Sequence, residues 1–184
     1  VAILITGSTS SISGATEQSC TLPAPKTLEV ALQAEPISVD GLVAYEEVIA
    51  HPAFGTAVRN GGVFELTQNN SLLRRQTTPK AEEMTIGEEH ITIRRDGKEI
   101  TRAIPARMSA FFIVLQAAVF NQGLSQLPPL PHRIRSTSQG WVTRISLQGN
   151  GGGSIVFSGC GDILQAIDLE MAGNQSRQIR FLAQ

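Results

Sequence analysis

"ITIRRDGKEIT", residues 91–101, decides how the rest of the chain is read. Ile91 and Ile93 alternate with Thr92 and Arg94, the period of a strand with one apolar face, until Asp96-Gly97 interrupts it. A two-residue connection of this kind needs a left-handed backbone at both centres, which Gly adopts without strain and Asp tolerates. The stretch therefore predicts an antiparallel hairpin.

The same period recurs on either side of it. Upstream, Met84 and Ile86 share a face, and Leu72 to Gln76 forms a strand that stops before Thr77-Thr78-Pro79. Val63 to Thr67 forms another after "NGG", and Val43, Tyr45, Glu47 and Ile49 share a face up to His51-Pro52. Downstream, Trp141, Thr143, Ile145 and Leu147 line one face, followed by Ile155 with Phe157 and by Ile163, Ile167, Leu169 and Met171. A turn at Gly173-Asn174 then leads to Ile179 and Phe181. Short, adjacent, turn-linked strands predict an antiparallel sheet.

One segment breaks this period. In "MSAFFIVLQAAVF", residues 108–120, Met108, Phe111, Phe112, Leu115 and Val119 recur at helical spacings, with Pro105 and Ser109 near the start and Gly123 beyond the end. Ile113, Val114 and Ala117 widen the apolar face, so this helix must be covered on most sides. "LPPLPH", residues 127–132, then forces an extended connection back to the sheet. The fold class predicted is mainly β (α+β): a curved antiparallel sheet with one helix closed over it.

Composition narrows the function classes. In 184 residues, 15 basic side chains face 16 acidic ones for a formal charge of -1, which gives no footprint for nucleic acid. Hydrophobic residues at 41% are ordinary for a globular chain, and the length suits a single domain. Residues 1–15, "VAILITGSTSSISGA", read as the remnant of a secretory signal, with a buried first strand as the alternative. The apolar run Val1 to Ile5 is far too short to span a membrane. Residues 16–41 carry Pro23, Pro25 and Pro36 and read as an extended lead-in to a domain over 42–184. Cys20 and Cys160 form no Cys-x-x-Cys pair, which leaves either a bridge or two independent buried thiols. A bridge closing so long a loop would contribute about 4 to 5 kcal/mol in the chain-entropy model.

No catalytic pattern emerges. Glu46-Glu47, Glu82-Glu83 and Glu88-Glu89 are neighbours that a strand sends to opposite faces, so they read as solvated faces and turns rather than dyads. His51, His90 and His132 are scattered, giving no metal-binding spacing, and "GNGGGS", 149–154, lacks the Gly-Lys-Ser/Thr of a phosphate loop. Of Arg74-Arg75 and of Arg94-Arg95, one member must face the apolar side. Such an arginine either reaches water at the sheet margin or has a function there.

The ordered series of elements resembles the periplasmic lipoprotein-carrier superfamily, the LolA-like proteins, in its shorter LolA-related branch. Val43 to Glu47, Gly62-Val63-Phe64, "LLRRQTTP" at 72–79, Glu89 to Ile93, "GWVTRISLQ" from Gly140 and the strands from Ile163 to Phe181 carry the resemblance. The family's amphipathic helix ahead of the first strand has no clear counterpart in residues 21–41.

The resemblance implies a half-open barrel with a helical lid. It implies a monomeric, non-enzymatic periplasmic carrier without cofactor or metal, taking lipoprotein acyl chains or another lipid from an inner-membrane exporter toward an outer-membrane acceptor. The lid side would be Met108, Phe111, Phe112, Leu115 and Val119, and the sheet side Phe64, Leu66, Ile91, Ile93, Ile145 and Leu147. Arg75, by its distance from Pro79, would take the place of a lid-gating arginine. The competing expectation is an exported β-rich scaffold or interaction domain, free of ligand, whose helix is plain core.

Overall fold

The computed structural model describes residues 19–104, 106–120, 130–147, 153–171 and 175–183, without the side chains of residues 54 and 106–110. The expected signal remnant at residues 1–15, the turn at Gly173-Asn174, residues 149–152 of the glycine run, Pro105, Gly123 and the prolines at 128 and 129 lie outside the described residues.

Among the described residues eleven strands form one antiparallel sheet: β1 (Leu42–Ala50), β2 (Val58–Leu66), β3 (Leu72–Thr78), β4 (Glu82–Ile86), β5 (His90–Arg95), β6 (Lys98–Ala103), β7 (His132–Thr137), β8 (Gly140–Leu147), β9 (Gly153–Cys160), β10 (Ile163–Met171) and β11 (Gln175–Phe181). Their order is β6-β5-β4-β3-β2-β1-β11-β10-β9-β8-β7. Two meanders thus meet where the first strand pairs with the last, and β6 and β7 are the edges of the sheet among the described residues. Helix α2 (Ala106–Phe120) follows one edge strand and precedes the other, so the chain crosses from edge to edge through it.

A helix on a flat sheet would leave its outer side in water. From Phe111 to Phe120, however, no residue of α2 is exposed, and Val114 and Ala117 are fully buried. Curvature of the sheet, together with the flanking Ile104 and Leu130 that pack on the same core, encloses it. This is the predicted class, a curved and unclosed antiparallel sheet with a helix over one face.

The hairpin at 96–97 forms as expected: Asp96 and Gly97 have φ 52° and 70°, and Arg95 pairs with Lys98. Asp40-Gly41 makes a second turn of this kind, at φ 52° and 76°, between Val39 and Leu42.

Four expectations change. β2 starts at Val58 and runs straight through "NGG", because Gly62 serves close approach: a Cβ there would collide with the carbonyl of Arg75. In β10, a register shift between Leu164 and Ala166 turns Leu164 inward and leaves Ile163 39% exposed, so Ile163 drops off the apolar face. β7 was not expected as a strand. It is an edge strand whose residues are exposed except for Ile134, and such a strand carries no alternating apolar signal.

The lead-in is not simply extended. It contains α1 (Leu28–Leu32), capped by the Thr27 hydroxyl accepting from the Val30 N–H at 3.3 Å, and it buries Ala31, Leu32 and Ala34 in the common core. A parallel bridge from Glu35 to Ile163 and a Cys20–Cys160 disulfide fix this segment to the end of the sheet.

Candidate functional site

Side-chain alternation puts one long cross-strand row on the helix-bearing face. Val43, Phe64, Arg74, Met84, Ile93 and Ile100 are successive partners across β1 to β6. Exposure rises along it. Val43 and Phe64 are fully buried, Met84 and Ile93 are partly buried, and Ile100 is 47% exposed. The next row, Leu72, Ile86 and Ile91, follows the same course from buried to partly buried. An apolar track therefore leaves the core and opens to water over β4 to β6.

The opposite end of this face is closed. Thr143, Phe157, Ile167 and Ile179 form a row across β8 to β11 in which each is buried, and it continues into Glu47 and Asn60. Tyr45 and Phe64 stack at 4.4 Å between ring centroids, with Phe181 edge-on to Phe64 at 6.5 Å.

Where the two ends meet, the apolar face holds charge. Glu47 is 1% exposed and accepts from Asn60 Nδ2 at 2.8 Å and Arg74 Nη2 at 2.6 Å. Arg74 Nη2 also donates to Gln76 Oε1 at 2.9 Å, and its Nη1 lies 3.6 Å from Glu82. Arg177 Nε is 3.2 Å from Glu47 Oε1, close enough for charge attraction but not aimed for a hydrogen bond. The Arg74 guanidinium stands 5.4 Å from the centre of the Tyr45 ring. Burial pushes the Tyr45 hydroxyl up to about 12, the nearby Arg74 offsetting part of the effect.

The expected site residues fall into distinct settings. Phe64, Phe111, Leu115, Val119 and Ile145 share one buried cluster, with Phe112 and Leu147 packed against it. Phe111 and Phe112 rings lie 5.1 Å apart. Leu66, Ile91 and Ile93 are only partly buried, the last two on the open track. Met108 lies in α2, and its side chain is outside the described residues.

Arg75 is not on this face. It is 46% exposed on the other side of the sheet, between Glu65 at 2.8 Å and Glu83 at 3.3 Å, and the inward arginine is its neighbour Arg74. Distance from Pro79 misassigned it, because strand parity and not spacing selects the face. Glu47 departs from expectation as well: it is a buried charge and not part of a solvated pair. Its signal was its phase with Val43 and Tyr45.

Among the described residues no group of three His, Cys, Asp or Glu could hold a metal ion, and no helix is long and apolar enough to cross a membrane.

The described residues thus form a curved open sheet with an apolar helix over one face and a partly exposed apolar track beside it. No family model and no curated protein matches the chain. Among solved structures it is similar to lipoprotein LppX of Mycobacterium tuberculosis, at 10% identity and TM-score 0.36 over 77% of this chain and 85% of that one. LprF from Mycobacterium bovis is similar at 11% identity and TM-score 0.34, covering 84% and 90%. MucB, in complex with MucA(peri), is similar at 10% identity and TM-score 0.31, with 83% of this chain matched to 50% of that one. Likeness at these scores carries no argument about ligand or partner.

Proposed function

We propose that this chain is a non-enzymatic periplasmic carrier that binds the acyl chains of a lipid or lipoprotein between α2 and the open end of the sheet. The observation that supports it is the apolar run Met84, Ile93 and Ile100, which continues the row of buried Phe64 beyond the ion-paired Arg74 and out to solvent on the helix-bearing face. An acyl chain laid along it exchanges water for apolar contact at about 0.8 kcal/mol per methylene buried. Uptake begins at Ile100 and Ile93 and proceeds under α2, so the ligand's tail separates Phe112 and Phe120, the partly buried aromatics of the helix, from their neighbours. Release needs the reverse movement or a partner that takes the chain. In that scheme an inner-membrane exporter supplies the cargo and an outer-membrane acceptor receives it.

A second reading is favoured by the complete burial of Val114 and Ala117, which is what a helix serving only as core would show. It makes the chain an exported β-rich scaffold or interaction domain. An environment-sensitive apolar dye separates the two. The carrier reading expects saturable fluorescence enhancement by the native chain, displaced by a diacyl lipid and weakened by Ile93→Glu. Enhancement that appears only as the chain unfolds would support the scaffold.

A further inference from the structure

On the outer face of the sheet, away from α2, Val142, Ser158, Ala166 and Arg180 are successive partners across β8 to β11. The first three carry short side chains, and the register shift beside Ala166 lifts Gln165 out of the ladder. Longer polar side chains stand around them. The result is a hollow of about 160 Å³ with Ser158 and Ala166 in its floor and Gln165, Asp168, Gln178 and Arg180 around its rim.

Two opposite charges share that rim without meeting. Asp168 opposes Gln178, two residues along β11 from Arg180, and diagonal neighbours of this kind have Cβ atoms about 7 Å apart. Among the described residues neither forms an ion pair. Arg180 Nε donates to Gln178 Oε1 at 3.4 Å, and Arg144, the other cation near Asp168, is held by Glu170. Glu46, the cross-strand partner of Arg180 on β1, is exposed and makes no ion pair with it. Asp168 is half-buried, so its carboxylate gives up part of its hydration with no counter-charge in return.

Charge selects among small ligands. An anion drawn to Arg180 meets Asp168, a cation drawn to Asp168 meets Arg180, and a neutral polyol leaves both without a counter-charge. A molecule with one charge of each sign satisfies both. The volume excludes a folded segment and suits a small metabolite.

We propose that this hollow binds a small amino acid, its ammonium paired with Asp168 and its carboxylate with Arg180. The amides of Gln165 and Gln178 supply further hydrogen-bond partners at the rim. The site lies on the face opposite α2 and is independent of the carrier reading.

The test titrates the full chain with free alanine and follows amide NMR shifts, beside alaninamide, which lacks the carboxylate, and N-acetylalanine, which lacks the ammonium. Alanine is expected to move the amides around Asp168 and Arg180 saturably, with a dissociation constant on the order of 1 mM. Either derivative is expected to bind about tenfold more weakly, the worth of one charged hydrogen bond. Asp168→Asn and Arg180→Gln are each expected to lower alanine affinity by about the same factor. Their unfolding midpoints are expected to hold, since neither side chain is ion-paired.

Absence of a saturable shift with alanine overturns the site. So do derivatives that bind as well as alanine, a result that does not depend on any variant. Phosphoethanolamine binding more tightly than alanine would assign the hollow to a lipid headgroup and overturn the amino acid. None of these outcomes bears on acyl-chain uptake at the other face.

Discussion

The two ends of the helix-bearing face are built from the same alternation and end in opposite states. Over β8 to β11, Thr143, Phe157, Ile167 and Ile179 are sealed, and Trp141 anchors the end by donating its indole N–H to the Gly161 carbonyl at 2.9 Å. Over β4 to β6, Met84, Ile91, Ile93 and Ile100 have the apolar character of a core without its burial. Hydrophobicity alone does not decide which end becomes interior. What covers the face decides it, and under the proposed carrier function the partly covered track beside the helix is where the ligand is received.

Substitutions can break this contrast. The largest losses are expected in the sealed end and at the buried charge beside it. Phe157→Ala, within the sealed row, should cost about 3 to 5 kcal/mol through the cavity it leaves. Glu47→Ala leaves buried Arg74 without its closest counter-charge, with only Glu82 remaining at 3.6 Å, and should cost about 3 kcal/mol, read from urea unfolding. Ile93→Ala at the open end should cost about 1 kcal/mol, because the side chain is only partly buried, and should instead weaken dye and lipid binding. If Ile93→Ala were as destabilising as Phe157→Ala, the two ends would not differ and the open track would have to be counted as core.

A smaller effect is expected with pH. Tyr45 loses its proton more reluctantly in the folded chain, near 12 against 10.0 for the free side chain. The folded state then binds more protons between those values, so this contribution to stability is intact below pH 10 and is lost as pH rises through 12. Thermal unfolding scanned across alkaline pH should show a decline that is shallower in Tyr45→Phe. The smallest effect belongs to the exposed pair Arg144–Glu170 on the outer face, where Glu170→Ala should change stability by less than about 1 kcal/mol.

Much of this architecture was legible because period and turn chemistry agree. "ITIRRDGKEIT" gave its hairpin through Asp96-Gly97, and Trp141 to Leu147 alternated cleanly because one face is sealed and the other wet. β7 was not legible, since an edge strand with little to bury needs no apolar alternation. Glycine was misread at Asn60-Gly61-Gly62, where the same residue that permits a turn also permits two backbones to approach.

The apolar half of the site was readable residue by residue, but its polar centre was not. Glu47 and Arg74 are each in phase with apolar neighbours, and each alone reads as a misplaced charge. Only the fold reveals that they are 2.6 Å apart, 27 residues distant in sequence. The position of Arg75 shows the same limit from the other side: spacing to a proline located the strand, while parity chose its neighbour for the interior.

The measurement that goes most directly to the central claim is native mass spectrometry of the chain exported to a bacterial periplasm and purified without detergent, beside an Ile93→Glu/Ile100→Glu variant. The account predicts a discrete adduct of lipid mass on the native chain, lost on delipidation, regained on adding lipid and absent from the folded variant. A native chain that runs at its bare mass and accepts no added lipid would contradict it.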